Sequence, residues 1–212
     1  YAQFLQNAGG LQHHRGCMNT LAHLHLSGDD PELILGNFIG DSVRGDEFSQ
    51  LDERVQAGVM LHRKIDRFTD KHPVFRQICA LMREDFGRYC SVVADVFLDH
   101  FLAREWERFD ARPLEDYLRW VHQILAGRID TCPERSRRYF EYLSTTDTLL
   151  HYRSMEGISQ TLSQMAKRAR FDSGMEKAGA VLLRRYVKLE ESFELFFPEV
   201  ANFAAGERQL AT

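Results

Sequence analysis

The chain has 212 residues, 44% of them hydrophobic and 27% charged, with a formal net charge of −4. That is enough chain for one sizeable hydrophobic core, too apolar for a disordered protein, and acidic overall with no aromatic-interleaved basic motif, which argues against a nucleic-acid binder. No apolar run reaches about 18 residues and no charged segment leads into a signal-like apolar stretch, so neither a membrane span nor a secretory leader is expected, and the cytoplasm is the expected compartment.

Residues 1–17 are rich in Gln, Gly and His and have no period. They read as an added or upstream extension, with Met18 as a natural start and a single domain over 18–212. At 20–26, His23 and His25 alternate with Leu24 and Leu26, on a segment that fits helix or extended chain equally. Asp30 followed by Pro31 is a helix start, with Asp30 as N-cap and proline at the first helical position, and the helix is expected to run on through ELILGNFIGDSV. From Leu51 to Asp70, the residues Leu51, Val55, Val59, Leu61, Ile65 and Phe68 recur at helical spacing, with Asp52 and Glu53 in the first turn.

Further helices are expected at 73–86, 91–109, 113–127, 133–144, 147–152, 155–169 and 173–196. Pro73, Pro113, Pro133 and Pro198 are read as lying at helix starts or ends. No alternating strand pattern or hairpin signal occurs, so the expected class is all-α. Cys17, Cys79, Cys90 and Cys132 have no C-x-x-C spacing and are expected to be reduced and mostly buried.

Charge is unevenly spread. Residues 18–127 carry 13 basic and 19 acidic side chains, net −6, whereas 128–188 carry 12 basic and 7 acidic, net +5. A carboxylate-rich first half suits a cation, and the basic stretch, with ERSRR at 134–138 and KRAR at 167–170, suits an anionic partner.

The chemistry concentrates in HRKIDRFTDKH at 62–72. There His62, Asp66 and Asp70 stand four residues apart and share a helix face, offering imidazole and carboxylate to one cation. Asp95 and Asp99, with His100 adjacent, repeat the theme inside the apolar helix VVADVFLDHFL, where a carboxylate needs an arginine or a metal beside it. Asp41 follows the apolar run LILGNFIG and either enters a pocket or pairs with Arg44.

Taken together, MNTLAHLHLS, LGNFIGDSVRG, GVMLHRKIDRFTDKHPVFR and ADVFLDHFLAREW resemble, in order and spacing, the bacterial acyl carrier protein phosphodiesterases. The resemblance is strong from Met18 to about Trp106 and looser beyond. It implies a distorted form of the helical HD-domain phosphohydrolase fold, with Mn²⁺ or another divalent ion as cofactor. The implied activity is hydrolysis of 4′-phosphopantetheine from the serine of holo acyl carrier protein, with that protein as partner.

Carried over residue by residue, the resemblance implies catalytic roles for Asp41, His62 and Asp66, with Asp41 ranked first. It implies metal ligation or its support by His23, Asp41, His62, Asp66, Asp99 and His100. Arg44, Arg63 and Arg67 lie close in sequence to these residues and are candidates for the phosphate oxygens. The adjacent His-Asp dipeptide of HD enzymes is absent, and Asp99-His100 has the reverse order. The competing functions are a metal phosphohydrolase acting on nucleotides or small phosphodiesters, and a helical binding module whose carboxylates and histidines are merely paired.

Overall fold

Every regular element in the computed structural model, which describes residues 20–210, is helical, and the described residues contain no strand. The expected all-α class is therefore met. The α-helices are α1 (Thr20–Leu26), α2 (Pro31–Ile39), α3 (Asp46–Ser49), α4 (Glu53–Lys71), α5 (Pro73–Phe86), α6 (Cys90–Arg104), α7 (Leu114–Ala126), α8 (Glu134–Thr146), α9 (Thr148–His151), α10 (Met155–Ala166) and α11 (Ala178–Leu210). The extension inferred at residues 1–17, and Cys17 with it, lies outside the described residues. Among those described, no helix is long and apolar enough to cross a membrane.

Helix α2 starts as its sequence dictates. Asp30 Oδ1 accepts from the backbone N–H groups of Glu32 and Leu33 at 2.9 and 3.1 Å, and Pro31 occupies the first turn, where it has no partner to lose. The other Asp30 oxygen takes Arg54 Nε at 2.8 Å, tying the start of α2 to α4. The helix stops at Ile39, earlier than the periodicity suggests, so Asp41 sits in a turn rather than on a helix face.

Two glycines explain the close pairing of α2 with α4. A Cβ at Gly36 would lie 2.1 Å from Val55 O, and one at Gly58 would lie 2.6 Å from Leu33 O, so the two backbones touch where any side chain would hold them apart. Gly40, just beyond α2, is pressed on the His62 ring, which a Cβ would meet at 2.4 Å. This contact brings the end of α2 and the middle of α4 into one site.

Helix α1 is started from a distance. Its first turn lacks an acidic residue, and Asp99 on α6 supplies one: Oδ2 accepts from Leu21 N and Oδ1 from Ala22 N, both at 3.0 Å. Accepting from two otherwise orphaned N–H groups satisfies the helix start.

Helix α11 runs 33 residues through Pro198, which was expected at a boundary. The proline removes one ladder hydrogen bond, a cost of about 3 kcal/mol in a helix interior. Phe193, Phe196, Phe197, Val200 and Ala204 are fully buried on the same helix, and burying each large ring contributes roughly 1.5–3 kcal/mol, enough to carry the helix past it. The core continues through Phe97, Phe101, Trp106 and Tyr117. Cys79, Cys90 and Cys132 are buried free thiols, as composition suggested.

Candidate functional site

The Gly36–Gly58 contact places Asn37 of α2 opposite His62 of α4 and His23 of α1, all three buried. The two imidazoles stack, with centroids 4.2 Å apart and planes 23° from parallel. Both turn Nδ1 toward one atom, Asn37 Oδ1, at 2.8 Å from His23 and 3.0 Å from His62. Their Nε2 atoms point the other way, toward Asp66. His23 Nε2 lies 3.1 Å from Asp66 Oδ1, and His62 Nε2 lies 3.4 Å from Asp66 Oδ2 and 3.3 Å from Asp41 Oδ1.

His23, His62 and Asp66 each bring a ligand atom within 4.8 Å of the others. The i, i+4 pair on α4 was readable from spacing; the third member comes from α1. Asp41 stands at the rim, its side chain 46% exposed, against 7% for His62. Asp70 is not in this group of three.

The protons around these atoms do not balance. Burial works against a charge on His62, but the Asp41 and Asp66 carboxylates at its Nε2 edge outweigh it and raise the ring to about 9. Burial and the neighbouring His62 charge hold His23 below its ordinary range, so its ring is neutral near pH 7 and carries one proton. Burial likewise pushes the Asp66 carboxyl up, and the bonds and charges of the two histidines more than reverse this and keep it ionised.

Neutral His23 thus faces an oxygen acceptor at each ring nitrogen and can satisfy only one. His62 Nε2 is itself a buried nitrogen without a well-formed hydrogen bond, although two carboxylates flank it. A divalent cation at the Nε2 edge would satisfy both nitrogens and Asp66 together, and two imidazoles with a carboxylate suit Mn²⁺, Fe²⁺ or Zn²⁺. Its binding requires His62 to release the Nε2 proton. The residues present fit a metal.

Other candidates have different surroundings. Both Asp99 oxygens are engaged with the backbone of α1, and burial raises its carboxyl to about 8 against the pull of those two N–H donors. His100 donates from Nδ1 to Tyr152 O at 2.7 Å and accepts the Tyr186 hydroxyl at Nε2 at 2.8 Å, leaving no ring nitrogen for a ligand. The structure therefore does not bring Asp99 or His100 into the group of three, contrary to the sequence expectation. Asp99 instead caps a helix far away in sequence, and His100 joins α6 to the segment after α9 and to α11. His25 packs among Trp106, Phe109, Tyr117 and Phe197, and burial lowers it to about 4: a core histidine.

Arg63 donates from Nη2 to Val43 O at 3.1 Å and lies over the Phe48 ring at 5.4 Å, so it braces the turn that carries Asp41. Arg44 and Arg67 are exposed.

Two further residues are defined by their surroundings. Asn37, buried beside both histidines, reads in sequence as one polar residue in an apolar run. Asp95 reads in sequence as a carboxylate that needs a cationic partner. It is 4% exposed, and its Oδ1 has no hydrogen-bond partner. Burial, reinforced by Asp66, Asp99, Asp70 and Asp41, raises its carboxyl well above the ordinary range.

The chain matches the family model described as acyl carrier protein phosphodiesterase over residues 18–200. Among curated proteins, it is 33% identical over 189 residues to the acyl carrier protein phosphodiesterase of Salmonella agona (strain SL483), covering 89% of this chain and 98% of that protein. The enzyme of that name from Serratia proteamaculans (strain 568) is 31% identical over 194 residues, covering 91% and 100%. The one from Yersinia pestis is 30% identical over 188 residues, covering 88% and 97%. No solved structure matches the chain. With a family model spanning most of its length and relatives matched almost end to end, this chain belongs to the acyl carrier protein phosphodiesterase family.

Proposed function

We propose that this protein is a metal-dependent phosphodiesterase that removes 4′-phosphopantetheine from the serine of holo acyl carrier protein, with Mn²⁺ as the ion held by His23, His62 and Asp66. The observation that carries the metal is the convergence of ligand atoms from His23, His62 and Asp66 within 4.8 Å of one another, at a His23 ring whose two nitrogens both face oxygen acceptors. When bound, the ion supplies a Lewis acid for a phosphoryl oxygen and a water activated near neutral pH.

The chain's own groups do the rest. Asp41 reaches the cluster from its exposed side, where a phosphodiester on a protein surface can approach, and its carboxylate accepts the proton of the attacking water. A bond from that water's oxygen to phosphorus forms as the serine oxygen–phosphorus bond breaks, and the departing serine oxygen takes a proton from solvent, to which Asp41 in turn gives up the proton it accepted. Arg63 holds the Asp41 turn through Val43 O. Arg44 and Arg67 offer guanidinium donors to the phosphate.

Tyr139 on α8 bonds to the Thr20 hydroxyl at 2.6 Å and stacks on Phe38, which fixes α8 beside the start of α1 and the end of α2. Arg135 and Arg137 are exposed on that helix and suit an acidic carrier protein, mainly by steering its encounter.

The test is the intact mass of holo acyl carrier protein incubated with the enzyme and Mn²⁺. Loss of the phosphopantetheine mass is expected with metal and not with chelator, and Asp41→Ala is expected to cut kcat by roughly 10²–10³. Reversing Arg135 and Arg137 to glutamate is expected to raise KM for the carrier protein with little change in kcat. An unchanged carrier mass beside hydrolysis of small phosphodiesters would contradict the substrate.

A further inference from the structure

We infer that Asn37 is the positioning residue that sets the tautomer of both histidines, aiming their Nε2 atoms at the cation. This inference rests on the metal reading above. One amide oxygen, Asn37 Oδ1, lies within hydrogen-bond distance of two imidazole Nδ1 atoms, at 2.8 and 3.0 Å.

An amide can be turned around, and its orientation decides the chemistry. With the oxygen toward the rings, both Nδ1 atoms must carry a proton, and both Nε2 lone pairs are left for a ligand. With the nitrogen toward the rings, both Nδ1 atoms must accept, and the protons move to Nε2, where they block the cation.

The surroundings choose the first orientation. Asn37 Nδ2 donates to the His23 backbone oxygen at 3.0 Å and to Ser27 Oγ at 2.8 Å. The Ser27 hydroxyl cannot welcome a turned amide oxygen by donating to it, because its own proton already goes to the His23 backbone oxygen at 2.8 Å. Turning the amide would set its oxygen against a carbonyl and an acceptor hydroxyl. Ser27 and Asn37 are fully buried, so water does not relieve that clash. The orientation is built by Ser27 and the α1 backbone, and Asn37 passes it to both rings at once. A hydrogen-bonded partner behind a metal-bound histidine fixes the tautomer and ring direction, and loss of such a partner commonly costs 10–100-fold in metal affinity. Here one residue serves two ligands.

The experiment compares wild type, Asn37→Leu, Asn37→Asp and Ser27→Ala. Mn²⁺ affinity is read by the electron paramagnetic resonance of free Mn²⁺. Imidazole tautomers are read by two-bond ¹H–¹⁵N correlation in the metal-free proteins, at a pH above 9 where both rings are neutral. Asn37→Leu removes the acceptor and is expected to weaken Mn²⁺ binding 10–100-fold and to shift ring protons from Nδ1 to Nε2. Asn37→Asp keeps an acceptor and is expected to retain Nδ1 protonation and recover most of the affinity. Ser27→Ala loosens the amide and is expected to give a smaller loss, a few-fold.

Should Asn37→Leu fail to fold, Asn37→Asp and Ser27→Ala decide the matter by the same two readouts. Wild-type affinity with Nδ1 still protonated in Asn37→Leu, or equal losses in Asn37→Leu and Asn37→Asp, would overturn the role of Asn37. Wild-type protein that takes up no Mn²⁺ would instead overturn the metal reading beneath it.

Discussion

Alanine at Gly58 is expected to lower the stability of the protein by about 3 kcal/mol and to weaken metal binding with it, while alanine at Gly206 stabilises slightly. A Cβ at Gly58 would lie 2.6 Å from Leu33 O and 2.8 Å from Gly36 Cα, both backbone atoms of α2. Backbone cannot swing aside as a side-chain end can, so α2 must retreat from α4. Asn37 and Gly40 retreat with it, and their contacts with His62 open. At Gly206, exposed on α11, a Cβ meets nothing within 4 Å, and only the helix preference of alanine acts, roughly 0.5–1 kcal/mol in its favour. Urea unfolding of the two variants provides the check. Equal and small effects would mean that the α2–α4 contact is not what assembles the site.

Asp95→Asn is expected to make the metal-free protein more stable near pH 7, by roughly 1–3 kcal/mol. Asp95 is buried, one of its oxygens is unpartnered, and the carboxylates Asp66, Asp99, Asp70 and Asp41 all oppose its charge. Its folded carboxyl therefore holds a proton above the ordinary value of 3.8. The native state binds that proton more tightly than the unfolded chain does, so stability falls as pH rises above the unfolded value. Asparagine has no proton to lose. The gain should be near zero at about pH 4 and grow toward neutrality, and it should shrink when Mn²⁺ is present, because a cation in the cluster offsets the Asp95 carboxylate. Thermal unfolding across pH, with chelator and with Mn²⁺, measures this. A variant less stable than wild type at pH 7 in chelator would show that Asp95 is held by a partner it needs.

What the sequence discloses here follows the range of the interactions. Asp30 and Pro31 act on the first turn that follows them, and His62 and Asp66 are one turn apart on a single helix, so spacing finds both. Asn37 escapes because its importance comes from a tertiary approach: Gly36 and Gly58 must first let two helices touch. Asp99 misleads for the same reason. A buried acid near a histidine suggests a ligand, yet its partners are N–H groups of α1, 78 and 77 positions away in sequence. Pro198 read as a boundary because a proline penalty is local, whereas the aromatic packing that overrides it is not. His100 reads like His62 in sequence and differs only in what surrounds it, with Tyr152 and Tyr186 in place of carboxylates.

Pulsed electron paramagnetic resonance of the Mn²⁺-loaded protein reads out whether the divalent ion is held by His23, His62 and Asp66, as proposed. Two directly coordinated histidine nitrogens are expected in wild type, one in His23→Ala, and loss of stoichiometric Mn²⁺ in Asp66→Ala. Bound Mn²⁺ with no histidine nitrogen coupling, or an unchanged spectrum in His23→Ala, would contradict this ligand set.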